Sequence, residues 1–271
     1  MQQFRVALLT GDGLRHRFVA QRLAQSTDLI AVVSETKSPI MPQSQLLESD
    51  ERSIVERHFA ERDQVEQRML GDVPKFPDTE VLRLANGTIN SSDTLAWLQA
   101  LNPDFVLLYG SSIIKLPMLN YYCGRMINIH LGLSPYYRGS GTNFWPLVSR
   151  EPECIGATIH LATQCVDAGA ILAQVRPAAE ISDRAHELGT KTIIAVLDLL
   201  LDALSLYASG QLRPQPQQLG LGRTFRQKDF NAGSVQTMWQ HFDTKMMAEY
   251  LDAVDERCGN YPILELAMAL A

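Results

Sequence analysis

The opening 33 residues limit the fold more than any other part of the chain. Phe4-Arg-Val-Ala-Leu-Leu9 is a short apolar run, and Thr10-Gly-Asp-Gly13 breaks it with turn chemistry. Phe18, Val19 and Leu23 then share one face of a helix, and Leu29-Ile-Ala-Val-Val33 is a second apolar run rich in β-branched residues. Strand, turn, helix and strand in that order imply parallel strands joined by a right-handed crossover. The predicted class is therefore α/β, a doubly wound, mainly parallel sheet of Rossmann type.

The rest of the chain extends the pattern. Glu80-Val-Leu-Arg-Leu84, Asp104–Tyr109, Met126–His130, Ile155–Leu161 and Ala170–Val175 read as further strands. Ser91 or Ser92 caps a helix that runs to Leu101, and a long helix is expected over Ala185–Ser209, packed through Leu188, Thr192, Ile193, Val196, Leu199 and Leu200. Residues 35–75 are polar, yet Ile54, Val55, Phe59, Val65 and Met69 keep helical spacing, which predicts an inserted amphipathic helix over 48–71 lying on the sheet edge. After Gly210, two prolines and Gly220-Leu-Gly222 read as a linker, followed by one helix over Ser234–Val254. The expected organisation is a catalytic domain over 1–210 and a short helical C-terminal extension over 211–271, too small for an ordinary second domain.

Composition excludes several classes. Of 271 residues, 46% are hydrophobic and 20% charged, which argues against disorder. Apolar runs such as Ile194–Leu201 are interrupted by Asp198 and too short to span a bilayer, and the N-terminus lacks signal-peptide features. A membrane or secreted protein is not expected. A net charge of −6 disfavours nucleic acid as a partner. Cys123, Cys154, Cys165 and Cys258 form no paired motif, and His16, His58, His130, His160, His186 and His241 show no metal-ligand spacing. Free thiols in a reducing cytoplasm and the absence of a metal are the expectation. His160 reads as a packing residue and Cys165 as a small loop residue.

Ligands of open α/β sheets bind beyond the carboxyl ends of the strands, and three segments are assigned there. Gly11-Asp12-Gly13 turns between the first strand and helix, where backbone N–H groups can face an anion. As a dinucleotide fingerprint it is incomplete, with His16 where a third glycine belongs. Asn128-Ile-His130 is more specific. Alternation along a strand puts both side chains on one face, followed by the loop Leu131-Gly-Leu-Ser-Pro-Tyr-Tyr-Arg-Gly139. Asp167 follows 37 residues after His130, in Cys165-Val-Asp-Ala-Gly169 between two predicted strands.

Asn128-Ile-His130, the Leu-Ser-Pro-Tyr-Tyr-Arg-Gly loop and Val166-Asp167-Ala-Gly169 together resemble the formyltransferases that use 10-formyltetrahydrofolate, over residues 4 to about 210. That resemblance implies a formyltransferase-like Rossmann variant with Asn128, His130 and Asp167 as the catalytic trio. It implies a folate pocket lined by Tyr109, Gly110, Ser112, Ile113, Ile114 and Lys115 and by Thr163 and Val166. It implies acceptor contacts from Gly11, Asp12 and Gly13 and from Tyr137 and Arg138. One departure is plain: the family commonly has Ser-Leu-Leu-Pro where this chain has Gly132-Leu-Ser-Pro135. The residue types suit formyl transfer. Donors from Asn128 and His130 would stabilise the tetrahedral oxyanion, roughly 3–4 kcal/mol each in comparable sites. Asp167 would orient His130, raise its pKa and relay the amine proton through water.

For the acceptor, the family's methionyl-tRNA enzymes carry a C-terminal RNA-binding barrel, for which residues 211–271 are too few and the charge is of the wrong sign. The favoured acceptor is a small-molecule amine, a nucleotide-linked amino sugar before others. Tyr136, Tyr137, Phe144 and Trp145 are candidates for stacking on it or for the core. The alternatives are hydroxyornithine formylation for siderophore synthesis, or hydrolysis of 10-formyltetrahydrofolate. The basic cluster Arg223–Lys228 reads as a solvated face. The expected partners are the amine acceptor and neither nucleic acid nor membrane, with a homodimer left open.

Overall fold

The structure, a computed structural model, describes residues 4–36 and 48–266. Part of the 35–75 insert and the extreme C-terminus thus lie outside the described residues. Strands β1 (Arg5–Thr10), β2 (Asp28–Glu35), β3 (Glu80–Leu84), β4 (Phe105–Tyr109), β5 (Met126–His130), β7 (Ala157–Leu161) and β8 (Ile171–Val175) form one seven-stranded sheet in the order β3-β2-β1-β4-β5-β7-β8. The first five of that order are parallel, while β7 and β8 run antiparallel to their neighbours. The strand order places β1 and β4 at the centre, where both faces are covered. Their residues are accordingly apolar at almost every position, from Val6 to Leu9 and from Phe105 to Tyr109.

Alternate residues face opposite layers. Val6, Leu8, Phe105 and Leu107 pack against α1 (Leu14–Ser26) and α6 (Ala185–Ala208) through Val19, Leu23, Ile193, Val196 and Leu200. Ala7, Leu9, Val106 and Leu108 pack against α3 (Ser92–Leu101) and α4 (Met118–Tyr121) through Leu98, Met118 and Leu119. Ser91 caps α3, its side chain accepting from the Thr94 N–H. This is the doubly wound arrangement expected from the sequence.

Helix α2 (Ser49–Leu70) forms where its periodicity predicts, but it does not lie on the sheet edge. It packs on α1, α6 and α7 (Ala232–Asp243), and its inward face buries Val55, Leu70, His58 and Glu66. The two buried polar positions find titratable partners on the helical side, Glu66 in Arg15 and His58 in His186.

The C-terminal part also departs from expectation. The single helix predicted over Ser234–Val254 is three: α7, α8 (Met246–Asp252) and α9 (Val254–Gly259). Lys245 breaks the run at φ 64°, and the turn carries Met246, Met247 and Tyr250 onto Met238, Leu147 and Ile155. Residues 211–222 are no linker. Gln215 exchanges backbone hydrogen bonds with Ile171, both 2.8 Å, at the outer edge of the sheet. Beyond it, β9 (Arg223–Phe225) pairs in parallel with β6 (Tyr137–Gly139). Phe225 lies between the rings of Tyr137 and Trp145, with ring centroids 5.8 and 4.6 Å apart.

Candidate active site

Asn128 and His130 end β5 on one face, as alternation requires, and both meet Asp167. Asn128 Nδ2 donates to Asp167 Oδ1 at 3.1 Å, and His130 Nδ1 lies 3.4 Å from the same oxygen. The other carboxylate oxygen accepts from the Gly139 N–H at 2.9 Å, and His130 Nε2 lies 3.2 Å from the Tyr137 carbonyl. The loop after β5 thus covers the pair that β5 presents, and His130 and Asp167 are both buried.

Asp167 lies between β7 and β8, as the sequence placed it. Because β7 is antiparallel to β5, it leaves the sheet beside the start of β5, where the Ala162 N–H donates to the Met126 carbonyl. The chain then doubles back to bring Asp167 up to Asn128 and His130. The return is tight: a Cβ on Gly169 would stand 1.7 Å from the Leu161 carbonyl oxygen, so only glycine fits. Asp167 itself is held at φ 50°, a left-handed conformation that a non-glycine residue keeps only under constraint.

His160, read from the sequence as a packing residue, belongs to the site. It sits opposite Asn128 in the β5–β7 register. Its Nδ1 faces the Leu161 carbonyl at 2.9 Å and its Nε2 the Asn128 amide nitrogen at 3.1 Å. Nε2 also lies 3.7 Å from Asp167 Oδ1, so the ring stands against both the amide and the carboxylate. Only a predicted antiparallel register, which sequence alone does not supply, could have placed it there.

Burial would raise the Asp167 carboxyl, but the imidazoles of His130 and His160 and the Gly139 N–H outweigh it and hold the pKa down at about 2. For His130 the balance is opposite to the expectation. Burial lowers its pKa below the usual histidine value, and Asp167 and the Tyr137 carbonyl only partly offset this. The resting site therefore pairs an ionised Asp167 with a neutral His130.

Gly132 and Ser134 of the loop after β5 both touch this centre. A Cβ at position 132 would stand 2.6 Å from His130 Nε2 and 2.5 Å from Thr142 Cβ, so Gly132 makes room for that packing. Ser134 Oγ donates to the Asp167 carbonyl at 3.3 Å.

The residues assigned to folate flank β5. Tyr109 ends β4 with its side chain buried, and burial raises its hydroxyl pKa. Gly110 follows at φ 58°. The loop is pinned by a Ser112–Glu35 hydrogen bond, by Asn90 Nδ2 to the Ile113 carbonyl at 3.0 Å, and by the Lys115 N–H to Asn90 Oδ1 at 2.7 Å. Ile114 is buried, whereas Ile113 is 62% exposed and, across β5, Val166 is 40% exposed. Thr163 Oγ1 donates to the Cys165 carbonyl.

On the other side, Gly13 begins α1, with its carbonyl accepting from the His16 and Arg17 N–H groups, and Gly11 is tied to Ser34. Asp12 is exposed. Tyr137 offers the site only its backbone: its ring is fully buried and its hydroxyl bonds Glu151. Trp145 and Tyr136 are likewise core. Arg138 Nε is buried with no hydrogen-bond partner among the described residues. Arg223, Arg226 and Lys228 are exposed, as expected of a solvated face, and Arg223 also pairs with Glu151 and lies over the Tyr137 ring at 4.7 Å. Among the described residues no His, Cys, Asp or Glu cluster could hold a metal, and no helix is long and apolar enough to cross a membrane.

The strand order and the helices on both faces are those of a doubly wound α/β domain. The family model described as formyl transferase matches residues 4–204, and the chain belongs to that family. Methionyl-tRNA formyltransferase of Thermodesulfovibrio yellowstonii is 31% identical over 124 residues, which cover 44% of this chain and 39% of that protein. The corresponding protein of a Synechococcus species is 30% identical over 155 residues, covering 52% and 46%. The matches thus span less than half the length of these curated relatives. Among solved structures, glycinamide ribonucleotide transformylase 1 of Symbiobacterium toebii superposes with a TM-score of 0.54 at 20% identity, covering 79% of this chain and 93% of that one. A sugar N-formyltransferase of a Shewanella species gives 0.54 at 18% identity, covering 83% and 78%. These structures share the fold.

Proposed function

We propose that this chain is a cytoplasmic N-formyltransferase that moves the formyl group of 10-formyltetrahydrofolate to an amine of a small molecule, with a nucleotide-linked amino sugar as the favoured acceptor. Residues 1–210 carry the catalysis and 211–271 extend it. The convergence of Asn128, His130 and Asp167 carries this reading.

As the amine adds to the formyl carbon, negative charge grows on the former carbonyl oxygen, and the Asn128 side-chain amide is the donor at hand. Its nitrogen already has two contacts. The contact with the His160 ring is the weaker and yields to the oxyanion, while the bond to ionised Asp167 keeps the amide oriented. Neutral His130 takes the amine's proton. The imidazolium then stands between two acceptors, Asp167 Oδ1 and the Tyr137 carbonyl, which oppose the burial that keeps the resting ring neutral. At a pKa of about 2 Asp167 is too weak a base to remove that proton itself and acts by its charge.

Exposed Ile113 and Val166 on either side of β5 suit the faces of the donor's pterin ring, whose polar edge can reach the pinned backbone of 110–115. Arg138, next to the Tyr137 carbonyl over His130, supplies a cation for an anionic acceptor such as a nucleotide sugar. The test is release of tetrahydrofolate from 10-formyltetrahydrofolate, followed by absorbance, with separate pools of nucleotide amino sugars, hydroxyornithine and glycinamide ribonucleotide. Acceptor-dependent release that disappears in His130→Ala supports the reading, and the responding pool names the acceptor. Wild-type turnover in His130→Ala, or release that needs no acceptor, refutes it.

A further inference from the structure

The segment after residue 210 completes the site. Arg213-Pro-Gln-Pro-Gln217 alternates proline with other residues, so the backbone is biased toward an extended form and Pro214 and Pro216 have no N–H. Gln215 spends its backbone groups on Ile171, at the sheet edge where β8 begins. Two residues on, Gln217 Nε2 donates to two carbonyls at once, that of Asp167 at 3.0 Å and that of Gly169 at 2.7 Å. Those carbonyls bracket the turn that doubles back to the site, and the first belongs to the residue held at φ 50°. Apart from Ser134 Oγ at 3.3 Å, no other side chain donates to the Asp167 carbonyl among the described residues.

We propose that Gln217 is a positioning residue: its side-chain amide clamps the Asp167–Gly169 turn so that the Asp167 carboxylate stays against His130 and Asn128. The inference rests on the reading of Asp167 as His130's partner. The amide is suited to this task. It offers two N–H groups to two carbonyls without adding charge beside the carboxylate, and the proline-stiffened strap gives up little further freedom to hold it there. Gln217 Oε1 is buried and accepts nothing, so both side-chain bonds of Gln217 go to this turn.

The test is the imidazole 15N spectrum of His130, identified by its loss in His130→Gln, in the whole chain without ligand. Gln217→Met keeps the length of the side chain and removes both donors. It is expected to move the His130 signals in the same direction as Asp167→Asn, and the double variant is expected to move them no further than Asp167→Asn alone. Signals that stay in place in Gln217→Met while Asp167→Asn moves them overturn the proposal and leave the site reading intact. Signals that Asp167→Asn does not move overturn the His130–Asp167 pairing itself. Through-bond coupling between the Gln217 side-chain nitrogen and the Asp167 and Gly169 carbonyls, measured in the unsubstituted protein, tests the clamp even if the variant does not fold. Its absence also overturns the proposal.

Discussion

His58 should make this protein acid-labile well above the carboxylate range. The ring is 6% exposed in α2, 4.6 Å from the ring of His186 and edge-on to Phe144 and Phe59. Its Nδ1 has no hydrogen-bond partner among the described residues. Burial, with the neighbouring His186 and Arg62, holds its pKa at about 3 against an ordinary 6.5, and burial with Arg62 and Arg15 holds His186 at about 4. The sign follows directly. Between those values and 6.5 the unfolded chain binds a proton that the native state refuses, so stability present above pH 6.5 is lost as the pH falls. At pH 5 the unfolded histidine is protonated and the native one is not, a gap of about 1.5 pH units or about 2 kcal/mol for each ring. Between pH 7 and pH 5 His58 alone should therefore remove a substantial part of a stability that is typically about 5–15 kcal/mol. His58→Phe fits the aromatic surroundings and does not titrate. Urea unfolding followed by tryptophan fluorescence should show similar stability at pH 7, and a loss on going to pH 5 that is smaller than the wild type's by about 2 kcal/mol. Equal losses in the two proteins would refute the assignment.

Glu66→Gln leaves the Arg15 guanidinium half-buried without its carboxylate, and should destabilise by about 2–4 kcal/mol in denaturant, near the low end for a buried pair because Arg15 is 28% exposed. Gly169→Ala drives a Cβ into the Leu161 carbonyl and should cost about 3 kcal/mol or abolish formyl transfer by shifting Asp167, seen by thermal unfolding and by the tetrahydrofolate assay. Phe225→Ala removes the ring between Tyr137 and Trp145. A loss of about 2–4 kcal/mol is expected, with faster hydrogen exchange at the Ser140 amide that bonds the Phe225 carbonyl.

The legible part of this protein is what repeats over short distances. Apolar runs located the seven strands of the sheet, helical spacing located α2 and α6, and alternation put Asn128 and His130 on one face. Side chains whose role depends on a distant register were not legible. His160 has the local pattern of a buried strand residue, and its place beside Asn128 comes from antiparallel pairing. Tyr137 and Trp145 look like a stacking surface until β9, nearly ninety residues on, inserts Phe225 between them. The prolines before Gln217 look like a linker because proline ends regular structure, yet at a sheet edge a missing N–H costs nothing.

The sequence by itself determined the strands, the helices α2 and α6, the doubly wound class and the placing of Asn128 and His130 on one strand face, because period and residue type are local. Only the tertiary structure decided the path of Asp167 back over the sheet, the neutral resting state of His130, and the use of the C-terminal strap to hold both. Those depend on which carbonyls, carboxylates and apolar walls arrive from elsewhere in the chain, and burial there reversed the His130 shift that its carboxylate neighbour alone would have produced.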